Sequence, residues 1–283
     1  TAIGTFSLLN QNAGADAYNV AVGYGSASNL TTAIHCTVLG GQAGNSLTDG
    51  GNNTLIGRLA GGALTSGTQN VAIGAFALDL EDDHGANVAV GHAALTAQNA
   101  GADGYNVAVG HKAGEDVSTG IQNTIIGAKA GDAVTTGGNN IIIGYNAAAS
   151  AVDVSNEITL GDANISAFRC ADQSIAALSD ARDKTDIKDS SFGLDFIDSI
   201  RPVEFEWDFR PENMAEAKQG KKRVGFIAQE LQEAMPEGEN EILDLVYEIS
   251  EDRIEAKYGN LIPILVKAVQ DLSAKVKELE NKQ

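Results

Sequence analysis

Asn70-Val71-Ala72-Ile73-Gly74-Ala75-Phe76-Ala77 is the stretch from which the fold can be read, because the chain repeats it. Close variants reach their glycine at Gly23, Gly40, Gly57, Gly91, Gly110, Gly127, Gly144 and Gly161. Every step is 17 residues except the one from Gly91 to Gly110, which is 19. An asparagine stands four residues before the glycine at Asn19, Asn53, Asn70, Asn87, Asn106, Asn123 and Asn140, and Cys36 takes that place once. Three residues after it stand Ala43, Ala60, Ala77, Ala94, Ala113, Ala130 and Ala147. Self-similarity at a fixed short period is the signature of a repeat architecture.

A few β-branched or apolar residues closed by Gly predict a short strand rather than a turn of helix. In Val71-Ala72-Ile73 the two large side chains share one face and Ala72 takes the other. We expect the large face to be buried by stacking rungs, since one 17-residue unit cannot bury it alone. Asn in a fixed register fits a ladder of stacked amides, and Gly fits a left-handed corner. The expected fold is a β-solenoid or β-roll of 17-residue repeats.

The composition changes sharply further along. Residues 1–178 hold 27 of the 32 Gly, all four His and both Cys, with 4 basic and 14 acidic side chains. Residues 179–283 hold all four Pro, the one Trp, 15 basic and 24 acidic side chains. Two domains are expected, 1–178 and 179–283. The net charge of −19 argues against a nucleic-acid surface, which needs clustered cations. No run of 18 apolar residues is present, so membrane insertion is not expected. The chain opens Thr-Ala-Ile-Gly, without Met, a basic segment or an apolar core of a signal peptide, and reads as a piece of something longer.

The chemistry gathers at that change, in Ser179-Asp180-Ala181-Arg182-Asp183-Lys184-Thr185-Asp186-Ile187. A serine becomes a nucleophile when a neutral lysine takes its proton, the logic of a Ser–Lys dyad. Ser179 and Lys184 have the residue types, although a Ser and a Lys five residues apart also occur on ordinary polar surfaces. Asp180, Asp183 and Asp186 would favour a charged Lys184 if they lay close to it.

Ser-Asp-x-Arg-x-Lys-x-x-Ile resembles the start of the intramolecular chaperone auto-processing domain, peptidase family S74, which ends phage endosialidases and many tail fibres and spikes. The likeness continues in Pro202-Val-Glu-Phe-Glu-Trp207, in Gly225-Phe-Ile-Ala-Gln-Glu-Leu231 with Met235-Pro-Glu237, and in Tyr258-Gly-Asn-Leu-Ile262 with Leu265–Leu272. The 17-residue repeats are similar to the head repeats of trimeric autotransporter adhesins and to phage fibre repeats. Together the resemblances imply a trimeric all-β solenoid followed by an α+β chaperone domain with a coiled-coil-like C-terminal helix. They imply that the domain promotes trimer folding and then cuts the Leu178–Ser179 bond, with Ser179 as nucleophile and Lys184 as general base. They further imply a virion protein assembled in the host cytoplasm, a homotrimer that meets a cell-surface receptor or glycan. The other readings are a glycan-degrading spike and a trimeric surface adhesin. Against the first stand an aromatic content of 5% and the lack of paired carboxylates in a cleft pattern.

Ile262, Leu265, Val269, Leu272, Val276 and Leu279 follow a 3,4 spacing, an a/d seam. That seam fits either a bundle between subunits or a helix packed on its own domain. No cofactor and no metal site is expected. His92 and His111 each follow a repeat Gly and read as a variable outward position rather than metal ligands. Glu81-Asp82-Asp83-His84 reads as a solvated turn, without the alternating oxygen ligands of a calcium loop. Cys36 and Cys170 lie about seven rungs apart, ~30 Å or more at the strand spacing, so both are expected as free thiols.

Overall fold

The computed structural model describes residues 1–14, 16–169, 171, 179–208, 220–250 and 253–282. The chain divides into two compact units, Thr1–Ile165 and Ser166–Gln283.

The first unit is a β-solenoid. Ten strands form one parallel sheet in sequence order: β1 (Ala2–Ile3), β2 (Val20–Val22), β3 (Thr37–Leu39), β4 (Thr54–Ile56), β5 (Val71–Ile73), β6 (Val88–Val90), β7 (Val107–Val109), β8 (Thr124–Ile126), β9 (Ile141–Ile143) and β10 (Ile158–Leu160). Register follows the repeat, Val71 facing Val88 and Val88 facing Val107, so the two extra residues of the longer unit sit outside its strand. The turns are bonded from rung to rung as well, for example Gln42 N–H to the Tyr24 carbonyl at 2.8 Å and Thr48 N–H to the Thr65 carbonyl at 2.8 Å.

The repeat glycine is required twice over. Gly23 has φ +134°, and a Cβ there would lie 2.6 Å from the carbonyl oxygen of Gly40 on the next rung. The asparagines form a buried ladder, but its bonds run from each side chain to backbone groups of the next rung rather than between stacked side-chain amides. Asn123 Oδ1 accepts from the Asn140 amide at 3.1 Å, and Asn123 Nδ2 donates to the Gly137 carbonyl at 2.9 Å. The same pair of links runs through Asn53, Asn70, Asn106 and Asn140. Cys36 stands in as a partial substitute, its Sγ donating to the Gly50 carbonyl at 3.4 Å. Burial raises the pKa of that thiol.

The direction of the strands differs from expectation. In β2 through β9 the middle residue, Ala21, Val38, Leu55, Ala72, Ala89, Ala108, Ile125 or Ile142, is the one that points into the solenoid and is buried. The large flanking residues face outward, and in a single chain Ile73, Val109, Ile126, Ile141 and Ile143 remain 36–39% exposed. The physical reason is the narrow bore of a 17-residue coil. A second interior column, seven residues after the repeat glycines from Gly23 to Gly127, supplies Leu30, Leu47, Leu64, Val117 and Val134 to the same core. Glu81 and Gln98 occupy that same column, both fully buried.

The second unit is α+β. Helix α1 (Leu194–Ser199) precedes an antiparallel pair, β11 (Val203–Glu206) with β12 (Lys222–Gly225). Then come α2 (Ala228–Ala234), α3 (Asn240–Leu243), the antiparallel pair β13 (Val246–Ser250) with β14 (Arg253–Ala256), and α4 (Leu261–Glu280). Its core gathers Phe196, Met235, Leu243, Leu245, Leu261 and Ile264. No helix among the described residues is long and apolar enough to cross a membrane.

Candidate active site

Ser179 and Lys184 meet. Lys184 Nζ donates to Ser179 Oγ at 2.7 Å. A single 3-10 turn, Ala181–Asp183, makes this possible by folding the five-residue separation back on itself. Asp180 caps that turn, its Oδ1 accepting from the Arg182 amide at 2.9 Å. Lys184 closes it in extended conformation, its own amide donating to the Ala181 carbonyl at 3.3 Å. Both members of the pair are solvent-exposed in the single chain.

The nearby carboxylates do not claim the lysine. Asp180 is engaged by the Arg182 guanidinium, with Nε at 3.0 Å from Oδ1 and 3.1 Å from Oδ2. That hydrogen-bonded arginine holds the Asp180 carboxyl below its ordinary range. Among the described residues no carboxylate forms an ion pair with Lys184. The arrangement is therefore a serine hydroxyl with one amine beside it, while the adjacent acid is occupied by the arginine. Leu178 lies outside the described residues, as does Cys170.

Residues 179–238 match the peptidase family model described as chaperone of endosialidase. The match covers less than half of the chain and opens on Ser179 itself. It takes in the Ser179–Lys184 pair and the elements from α1 through α2, and it ends before β13, β14 and α4. With the parallel solenoid of 17-residue repeats before it, the chaperone-of-endosialidase match bears out the resemblance to a tail-fibre fragment followed by this domain. No curated protein and no solved structure matches the chain.

The other side chains of interest fall as follows. Helix α4 packs on the core of its own unit through Leu261, Ile264 and Ala268. The a/d seam lies elsewhere on the helix, with Leu265 45%, Leu272 51% and Val269 65% exposed. His92 and His111 stack with ring centroids 5.3 Å apart on adjacent rungs, both exposed, in line with an outward position. Glu81 overturns the reading of residues 81–84 as a solvated turn: its side chain is fully buried in the interior column. The signal missed in the sequence was the column itself, in which leucine or valine stands seven residues after most repeat glycines.

Proposed function

We propose that this chain is a segment of a trimeric phage tail fibre or spike whose C-terminal unit promotes trimerisation and folding, then cuts the Leu178–Ser179 bond. The observation that carries the reading is the 2.7 Å Lys184 Nζ–Ser179 Oγ contact at the first residue of the family match. In the proposed reaction neutral Lys184 removes the Ser179 hydroxyl proton, and Oγ attacks the Leu178 carbonyl carbon. The tetrahedral adduct collapses by breaking the Leu178–Ser179 C–N bond, with the proton passing to the departing Ser179 amine. The result is an ester between the Leu178 acyl group and Ser179 Oγ. Water then adds to the ester, leaving a Leu178 carboxylate and the free Ser179 hydroxyl. Each chain turns over once.

A lysine amine loses its proton more readily when it is removed from water or set beside another cation. Covering Lys184 with a neighbouring subunit would do this, which ties cleavage to assembly. The exposed α4 seam and the outward apolar stripe of the solenoid support a trimer, because both are unpartnered in one chain. As a fibre segment, the product would sit in the virion and meet a host receptor or surface glycan through the solenoid. On a denaturing gel the wild type should resolve into fragments 1–178 and 179–283, and Ser179→Ala should run as one 283-residue band. Two fragments from the Ser179→Ala variant would refute the assignment.

A further inference from the structure

Seven residues after the glycine, the rungs that follow Gly23 through Gly127 each place one side chain in the closed interior: Leu30, Leu47, Leu64, Val117 and Val134 in five of them. The rung that follows Gly74 puts Glu81 there instead, at 0% exposure. A buried carboxylate without full compensation is costly, so its surroundings indicate what compensates it. Oε1 accepts from the His84 amide at 3.2 Å, and the His84 ring nitrogen Nδ1 lies 3.7 Å from the same oxygen. Oε2 has no hydrogen-bond partner, nor has His84 Nδ1, although both atoms are buried. An Asp82 carboxylate oxygen completes the group, and the three ligand atoms all lie within 4.8 Å of one another. It is the one such cluster of three among the described residues.

We propose that Glu81, Asp82 and His84 bind a divalent first-row transition-metal ion of the zinc class. Two carboxylates and an imidazole suit such an ion, whereas calcium takes oxygen ligands alone. At metal–ligand bonds of about 2.0–2.1 Å a tetrahedral site spaces its ligands about 3.4 Å apart. The Glu81–His84 pair, at 3.7 Å, is already near that value, and Asp82, whose Oδ1 accepts from the Asp83 amide at 2.7 Å, would close the remainder by rotation of its side chain. An ion bound there would give the orphaned His84 Nδ1 and the buried Glu81 carboxylate a partner beside Leu64, the hydrocarbon side chain that precedes Glu81 in the column. Gln98 holds the same column position one rung on, its Oε1 accepting from Asn106 Nδ2 at 3.0 Å.

The test uses the full chain, stripped with chelator and titrated with Zn2+, and it is independent of cleavage at Ser179. His92 and His111, which stack on the surface, are replaced by alanine in the background so that they supply no competing site. One equivalent of Zn2+ should bind per chain and raise the unfolding midpoint by on the order of 5 °C at a hundredfold excess over Kd. Glu81→Leu, which restores the residue found at positions 47 and 64, should fold with a higher metal-free midpoint and lose the Zn2+ response. His84→Ala, a surface-side change, should lose binding while leaving the metal-free midpoint close to its starting value. Absence of stoichiometric Zn2+ binding in the His92→Ala/His111→Ala background would overturn the proposal. So would an undiminished site in either Glu81→Leu or His84→Ala.

Discussion

Asn123 does two jobs with one side chain, and its removal exposes what the repeat asparagine is for. Asn123→Ala leaves the Asn140 amide and the Gly137 carbonyl buried without their partners. At about 1–3 kcal/mol for each orphaned group, the loss should be roughly 2–6 kcal/mol, read as a lower denaturation midpoint of the solenoid. Cys36 is the converse case. Its sulfur reaches the Gly50 carbonyl and is faced by the Asn53 amide, weak versions of the two bonds an asparagine makes. Cys36→Asn should therefore stabilise the solenoid by about 1 kcal/mol. Because burial raises the thiol pKa, Cys36 in the folded chain should also resist alkylation at pH 8 and react on unfolding. Gly74, at φ +139° and with its Cα hydrogens against the next rung's backbone, admits no side chain. Gly74→Ala should disrupt the stack rather than merely weaken it, detectable as loss of cooperative unfolding. The asparagine and glycine registers could be read directly from the 17-residue period. The burial of Glu81 could not be read from its neighbours Asp82, Asp83 and His84, because four polar residues in a row look solvated until the column they interrupt is recognised.

The strands and the last helix share one property: each buries a narrow face within the chain and leaves a broader apolar one outside. The three-residue strands were legible from Val-Ala-Val and Val-Ala-Ile, but their orientation was not. Alternation says which residues share a face and is silent on which face is inside. Only the bore of the coil, lined also by Leu30, Leu47 and Leu64, decides that the middle residue points inward. For α4 the heptad spacing was legible, and the structure separates its two uses. Leu261, Ile264 and Ala268 serve the unit's own core, and the 3,4 seam is left over. Val269→Asp with Leu272→Asp should accordingly abolish trimer in sedimentation measurements while leaving the helical circular dichroism of the unit close to wild type. Unfolding of the unit itself would assign those residues to its core instead.

Taken as a whole, the molecule joins a repetitive, proline-free solenoid to a unit holding every proline, and the candidate nucleophile opens the stretch that matches the chaperone family. The Ser179–Lys184 pair was legible as residue types, and its closure to 2.7 Å depends on the 3-10 turn that Asp180 caps. A base that must give up its proton predicts a specific failure. Lys184→Arg keeps the positive charge but supplies a group that remains protonated. It should slow cleavage about 10²–10⁴-fold without impairing assembly. The most direct measurement is intact-mass and N-terminal analysis of the assembled wild-type chain beside Ser179→Ala. Release of a fragment that begins at Ser179, in the wild type alone, is the predicted result. A new N-terminus anywhere else, or the same fragment from Ser179→Ala, would contradict it.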